Sequence, residues 1–149
     1  MNQHPTTSKG DIGVAFVIAD LIMQGARVLQ PVSATSPFDL VALYNNTYVR
    51  IQVKYRTPSS GRVEVKPKRA VARYEYALNT EYDILAIYCP DAGIAYIPRQ
   101  QGQQVITLRV EPPKNNQSIG VTLFKDHQEF NTAWTQWNQL KRSPDASKP

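Results

Sequence analysis

The chain has 149 residues, of which 42% are hydrophobic and one is a cysteine, and its formal net charge is +5. This composition is typical of one globular domain and favours a polyanionic partner; it excludes a disordered chain, an internal disulfide framework and a cysteine-based zinc site. No apolar run approaches the roughly 18 residues that span a bilayer, and no secretory pattern begins the chain, so we expect a cytoplasmic protein without a membrane segment.

The first third of the chain predicts a helix and then a β-hairpin. We expect the helix over 8–24, because Ser8 can cap it together with Asp11 and Gly25 can end it. A short strand over 27–32 follows, and strands over 38–43 and 48–55 flank Asn45-Asn46, a pair that suits a tight turn. The apolar residues of the helix recur at helical spacing and predict its buried face: Ile12, Ala15, Phe16, Ala19, Ile22 and Met23.

The rest of the chain predicts further strands and a last helix. Strands are expected over 62–66, 82–89, 94–97 and 105–110, and the second of these is apolar enough to be central. A helix over 126–141 begins with a possible capping box of Asp126 and Glu129. Its apolar stripe consists of Phe130, Ala133, Trp134, Trp137 and Leu140.

This order of elements predicts an α/β (α+β) fold in which a mixed central β-sheet is flanked by helices. We expect a single domain over 1–141 and a disordered tail over 142–149.

Three polar side chains of the predicted hairpin offer chemistry. Asp39 lies in the first strand, whereas Gln52 and Lys54 lie two apart in the second and so project from one face. A hairpin that turns at Asn45-Asn46 brings Asp39 beside them. Asp39 offers a hard anionic ligand for a divalent cation, and Gln52 and the backbone carbonyl of Val53 offer neutral oxygens. Lys54 can activate a water molecule or neutralise developing charge, so the set suits phosphodiester hydrolysis; the alternative is an ordinary hairpin with a polar face.

Ser36-Pro-Phe-Asp39, followed by Arg50-Ile-Gln-Val-Lys54, resembles the signature of the PD-(D/E)XK nucleases. Lys9-Gly-Asp-Ile-Gly13 is similar to the acidic helix start of many members, and the resemblance runs from about residue 9 to residue 97. Within this superfamily the chain is similar to compact homing endonucleases encoded by bacterial group I introns. The resemblance implies a restriction-endonuclease-like core, double-strand cleavage of a long DNA site with magnesium (or manganese), and an oligomeric enzyme.

Two positions depart from that signature. Phe38 separates Pro37 from Asp39, which is tolerable because the proline carries no ligand. Gln52 replaces the usual second acid, so metal binding should weaken unless Asp11 compensates. Asp11 has two interpretations that can coexist, a metal ligand or a helix cap. The catalytic candidates are therefore Asp39, Gln52, Lys54 and Asp11, and the metal-ligand candidates are Asp39, Asp11 and Val53.

Basic and glutamine residues are candidates for contact with double-stranded DNA. The stretch over 62–73 is rich in lysine and arginine, which contact phosphates, although a solvated charged surface is the alternative. Glutamine and arginine side chains over 99–104 can recognise adenine and guanine edges in the major groove, and a polar loop is the alternative. The candidates are Arg50, Arg56, Arg62, Lys66, Lys68, Arg69, Arg73, Arg99, Gln101 and Gln103.

One active site cuts one strand, so a homodimer is the minimum expectation and a tetramer is compatible with a long site. The apolar stripe of the last helix is either a subunit interface or part of the core. The leading hypothesis for function is a site-specific endonuclease of intron homing. The alternatives are a Holliday-junction resolvase or restriction-type nuclease of the same fold, a catalytically inactive nucleic-acid-binding module, and an interaction protein in which the motif arose by chance.

Overall fold

The computed structural model describes residues 6–66, 81–99, 105–115 and 119–142. A short 3₁₀ helix at Phe124–His127 precedes the last helix. The helices and strands are, in chain order, α1 (Thr6–Met23), β1 (Arg27–Leu29), β2 (Leu40–Tyr44), β3 (Thr47–Tyr55), β4 (Arg62–Val65), β5 (Ile84–Cys89), β6 (Gly93–Pro98), β7 (Ile106–Arg109) and α2 (Phe130–Arg142).

In the described part of the chain, five strands form the central sheet in the order β1-β2-β3-β5-β6. Its strand pairs are antiparallel except for β3 and β5, which run parallel. The strands β4 and β7 form a separate two-stranded antiparallel sheet, called the ribbon below. The predicted α/β fold with a mixed central sheet is therefore confirmed.

The turn between β2 and β3 has the predicted form. Asn45 and Asn46 have φ values of 48° and 59°. Two consecutive residues with positive φ make a type I′ turn, whose twist matches that of the flanking strands, and asparagine tolerates this conformation better than most residues. The turn sets a register in which Leu40 pairs with Ile51.

The helices α1 and α2 pack on one face of the central sheet, called the helix face below. Phe130, Ala133 and Trp137 of α2 are buried there, whereas Leu140 is exposed. The stripe predicted for α2 therefore belongs largely to the core. The helix runs to Arg142, one residue into the predicted tail, and residues 143–149 lie outside the described part of the chain.

The buried side of α1 differs from the predicted one. Val17 and Leu21 are fully buried, whereas Phe16, Ile22 and Met23 are 52%, 56% and 77% exposed. The helix is apolar on more than one side, so helical spacing alone did not identify the side that meets the sheet. Gly13 allows the close approach, because a Cβ there would lie 3.4 Å from Cγ1 of Val53.

The capping box predicted for α2 is also wrong. Asp126 lies in the 3₁₀ helix, and α2 begins only at Phe130. The Phe130 N–H donates instead to Oε1 of Gln24, at 2.7 Å. The Gln24 amide nitrogen in turn donates to Oδ2 of Asp20 and to the carbonyl of Gln128, so the end of α1 holds the start of α2. A cap supplied from more than 100 residues away leaves no local pattern in the sequence.

The same network reaches β6. The hydroxyl of Tyr96 donates to Oδ2 of Asp20 at 2.6 Å. Burial, together with this hydrogen bond to a carboxylate, raises the pKa of Tyr96 well above its ordinary value. Tyr96 therefore stays protonated and joins β6 to α1.

The ribbon packs on the opposite face of the central sheet, called the ribbon face below. Both faces of β5 are consequently covered, and all its residues are buried, as expected for a central strand. No helix in the described ranges is long and apolar enough to cross a membrane. The second apolar cluster under the ribbon includes Val63, Val65, Leu85, Ile87, Ile106, Leu108 and Phe124.

Candidate active site

Asp39 lies directly before β2, and its side chain turns onto β3. Its Oδ2 accepts the backbone N–H of Val53 at 2.8 Å and the amide nitrogen of Gln52 at 3.0 Å. Its own backbone N–H donates to the carbonyl of Ile51 at 2.9 Å. Three hydrogen bonds thus fix Asp39 against β3 at the point where β2 begins.

Lys54 projects from the same face of β3 as Gln52, because side chains two apart in a strand share a face. In the parallel pairing, Gln52 lies opposite Leu85 and Lys54 lies opposite Ile87. Both of these β5 residues belong to the cluster under the ribbon. The side chains of Gln52 and Lys54 are themselves partly buried, beside that apolar cluster.

Asp11 is exposed on α1. The helix begins at Thr6 and has no acidic residue in its first turn, so the capping box of Ser8 and Asp11 is wrong. Two residues along a helix turn by about 200°, and Asp11 therefore points away from the side on which Gly13 meets Val53. Among the described residues the structure gives Asp11 no hydrogen bond or ion pair, and its role as a metal ligand stays a prediction.

The hairpin offers oxygen ligands for a hard cation. Oδ2 of Asp39 carries both side-chain hydrogen bonds, and Oδ1 accepts none from the described part of the chain. Gln52 donates to Asp39 through its amide nitrogen, so its amide oxygen remains available as a second oxygen ligand for the cation. No three His, Cys, Asp or Glu side chains cluster within the described ranges. A cation here would use one carboxylate with neutral oxygens, a donor set that suits magnesium or manganese.

Two of the predicted DNA-binding arginines join parts of the protein. Arg50 donates through Nε and Nη2 to the two carboxylate oxygens of Asp83, at 3.1 and 2.9 Å, and the hydrogen bond to Asp83 raises the pKa of Arg50. Arg56 donates to the carbonyls of Glu64 and Tyr55, at 3.2 and 2.8 Å. Arg50 therefore ties β3 to the residue before β5, and Arg56 ties the end of β3 to β4.

The structure describes three of the remaining DNA-binding candidates. Arg62 and Lys66 are exposed on or just after β4. Arg99 lies 5.5 Å from the centre of the Tyr82 ring, and burial lowers the pKa of Arg99. The other candidates lie outside the described residues, namely Lys68, Arg69, Arg73, Gln101 and Gln103.

Two residues of interest were missed by sequence reasoning. Asp83 holds Arg50, but nothing in the local sequence indicates the pairing. Arg109 lies directly opposite Arg62 in the ribbon. The alternation of polar and apolar residues over 105–110 was the signal for Arg109, since it places Thr107 and Arg109 on one face.

A mixed sheet between helices and a second small sheet, with a carboxylate and a lysine on its central hairpin, is the arrangement of a nuclease of the restriction-endonuclease-like class. A family model described as "PD-(D/E)XK endonuclease" matches residues 4–130. The chain therefore belongs to the PD-(D/E)XK endonuclease family.

Comparison with solved structures gives several matches, among them these two. The chain is similar to a bacterial homing endonuclease, I-Ssp6803I, with a TM-score of 0.70 and 19% identity over 93% of this chain and 98% of that chain. It also matches Hjc, a Holliday junction resolvase from Archaeoglobus fulgidus, with a TM-score of 0.45 and 19% identity over 68% of this chain and 84% of that chain. At this identity the first likeness shows a shared restriction-endonuclease-like fold. A search of the curated proteins finds no match.

Proposed function

We propose that the protein is a DNA endonuclease that hydrolyses phosphodiester bonds with a magnesium or manganese ion. The observation that carries this proposal is the carboxylate of Asp39, which hydrogen bonds from Gln52 and Val53 hold against the hairpin. Gln52 and Lys54 project from the same face of β3. Membership of the PD-(D/E)XK endonuclease family supports the reaction class.

Each side chain of the hairpin has a distinct part in this proposal. Asp39 would hold the cation through Oδ1, with the Gln52 amide oxygen and the Val53 carbonyl as neutral ligands. The bound ion would supply Lewis-acid activation of the phosphate and of the attacking water. Lys54 orients that water and stabilises the negative charge that develops on the phosphate. The amide nitrogen of Gln52 orients Asp39, which a second carboxylate at this position could not do without repulsion.

We further infer that the enzyme makes double-strand breaks at a specific site, as intron homing requires. The support is the likeness to a homing endonuclease, which extends over nearly the whole of both chains. A long recognition site also agrees with the excess of 17 lysines and arginines over 12 acidic residues.

The test is cleavage of a panel of DNA substrates with magnesium, compared with the same reactions in EDTA. The panel contains linear duplexes, four-way junctions and candidate intron-insertion sites. We expect cutting of one duplex site by the wild type, and a loss of about 100-fold or more in Asp39→Ala and Lys54→Ala, with DNA binding in calcium largely retained.

The matched controls are Asp126→Ala and Lys125→Ala, which remove the same charges from exposed positions of the 3₁₀ helix. Full activity in both hairpin variants would overturn the active-site assignment. Cutting of four-way junctions alone would replace the homing proposal with a resolvase.

We also infer that the active enzyme is a homodimer or a dimer of dimers, because one site cuts one strand of a duplex. The second copy would pack on the exposed side of α1, on an apolar stripe that includes Ile22 and Met23 and borders Phe16, whose ring stacks on that of Tyr88. The same stripe on each copy can meet itself across a twofold axis, whereas the stripe of α2 is already buried. A standard interface needs roughly 800 Å² per partner, so polar neighbours of the stripe would form its rim.

Sedimentation velocity tests the interface. We expect Ile22→Glu and Met23→Glu to shift the protein from oligomer to monomer, and Val32→Glu, at an exposed position outside α1, to leave its size unchanged. An oligomer of wild-type size in both α1 variants would exclude this side of α1. A wild-type tetramer that falls to a dimer would show that α1 forms one of two interfaces.

A further inference from the structure

The ribbon has one apolar and one polar face. Its inner face packs on the central sheet through Val63 and Val65 of β4 and their partners in β7. On the outer face Arg62 pairs with Arg109, and Glu64 pairs with Thr107. Arg62, Glu64 and Thr107 are exposed, and Arg109 is partly exposed. The outer face therefore presents two arginines directly opposite each other.

This pairing of like charges is unfavourable by itself. Like charges at directly opposed positions of an antiparallel pair destabilise a sheet. Glu64 compensates only weakly, since its Oε1 lies 3.9 Å from Nε of Arg62. Arg109 uses Nε to donate to the carbonyl of Glu111 at 3.1 Å. Within the described part of the chain, the terminal nitrogens of both guanidinium groups donate no hydrogen bond, so they can donate to a bound ligand.

The ribbon is also fixed beside the hairpin. Arg56, at the end of β3, donates to the carbonyl of Glu64 in β4. The ribbon covers Leu85 and Ile87, which are the register partners of Gln52 and Lys54. The outer face of the ribbon and the candidate active site consequently lie on the same side of the central sheet.

We propose that the outer face of the ribbon enters the major groove of the DNA and that Arg62 and Arg109 recognise guanines there. This inference rests on the proposed endonuclease function and adds the surface that selects the sequence. A major groove about 12 Å wide admits a two-stranded β-ribbon, and arginine binds O6 and N7 of guanine through two hydrogen bonds. The register places Arg62 and Arg109 directly opposite each other on this face, within reach of neighbouring base pairs.

A binding selection from a randomised duplex library tests this assignment, with calcium in place of magnesium so that the DNA stays intact. The proteins are the full-length wild type, Arg62→Lys and Arg109→Lys. Lysine keeps the charge but loses the two-pronged hydrogen bond. We expect each variant to lose guanine preference by about 10- to 100-fold at one or two positions, with non-specific affinity, salt dependence and thermal unfolding close to those of the wild type.

The matched control is Arg27→Lys, at an exposed position on the edge strand β1, which should select the wild-type sequence. Selection of the wild-type sequence by both ribbon variants would overturn the ribbon as the reading surface, while cleavage by the wild type would leave the endonuclease proposal standing. A wild type that neither binds nor cuts any DNA would overturn the endonuclease proposal and this inference together.

Discussion

The two faces of the central sheet have different chemistry although they share the same strands. On the helix face, Val49, Ile51 and Val53 of β3 are buried against α1. On the ribbon face, Gln52 and Lys54 from the same strand are only partly buried. One face is therefore filled with apolar side chains, and the other combines an apolar cluster with polar groups.

This difference separates stability from chemistry. On the helix face, the apolar side chains of β3 pack against α1 and support the backbone of this strand. The same backbone supports the candidate active site, because the N–H of Val53 fixes the carboxylate of Asp39. Catalytic groups on a well-supported strand keep their geometry better than groups on a loop. Substitutions on the two faces should accordingly affect different properties.

The largest expected effect on stability is that of Phe130→Ala on the helix face. Phe130 is fully buried, and its ring meets those of Tyr44 and Tyr96 edge-on, with centroids 5.1 and 5.2 Å apart. Removing it leaves a cavity, so we expect a loss of about 3–5 kcal/mol in the free energy of unfolding, measured by urea denaturation. The cleavage rate per folded molecule should stay within about twofold of the wild type, because the candidate residues Gln52 and Lys54 lie on the opposite face of the sheet.

The control for this prediction is Leu140→Ala, on the same helix but 43% exposed, which should cost less than about 1 kcal/mol. If Phe130→Ala lost cleavage under conditions in which the protein is still folded, the two faces would not be separable.

Local patterns predicted much of this arrangement. The hairpin followed from a pair of asparagines that suits positive φ and from alternation in β3, both of which are encoded within a few residues. The burial of β5 followed from its unbroken apolar run. Because a hairpin register fixes which residues lie opposite each other, the contact between Asp39 and Gln52 could also be expected from the sequence.

Features that depend on distant parts of the chain could not be predicted in this way. The buried side of α1 depends on which side meets Val53 through Gly13. The cap of α2 comes from Gln24, and the pairing of Arg62 with Arg109 joins strands separated by more than 40 residues. Sequence periodicity groups the residues that share one side of an element, but it does not identify which side is buried or what packs against it.

A medium effect is expected from Gln52→Glu on the ribbon face. The amide nitrogen of Gln52 now donates to Asp39 at 3.0 Å, and a glutamate would place two carboxylates in contact there. Without a cation their repulsion should lower the free energy of unfolding by about 1–2 kcal/mol, and magnesium should restore it. Thermal unfolding in EDTA and in magnesium measures both changes. The magnesium concentration that gives half-maximal cleavage should be lower than for the wild type.

Gln136→Glu makes the same change of charge on an exposed position of α2 and should respond to magnesium like the wild type. Equal stabilisation of Gln52→Glu and of this control by magnesium would indicate that the cation does not bind between Asp39 and residue 52.

The smallest expected effect is that of Asn46→Gly in the turn that sets the register of both faces. A shift of one residue between β2 and β3 would move each side chain to the opposite face and separate Asp39 from Gln52. Asn46 has a φ of 59°, a conformation that glycine adopts without steric cost, and Asn-Gly is the preferred pair for a type I′ turn. We therefore expect Asn46→Gly to raise the free energy of unfolding by about 0.5 kcal/mol and to leave the cleavage rate unchanged. Asn46→Val should lower the free energy of unfolding by about 1–2 kcal/mol, because a β-branched residue is strained at positive φ. Urea denaturation and cleavage assays on both variants measure these changes. A loss of cleavage in the stabilised Asn46→Gly protein would mean that the turn contributes to cleavage in some way besides setting the register of β2 and β3.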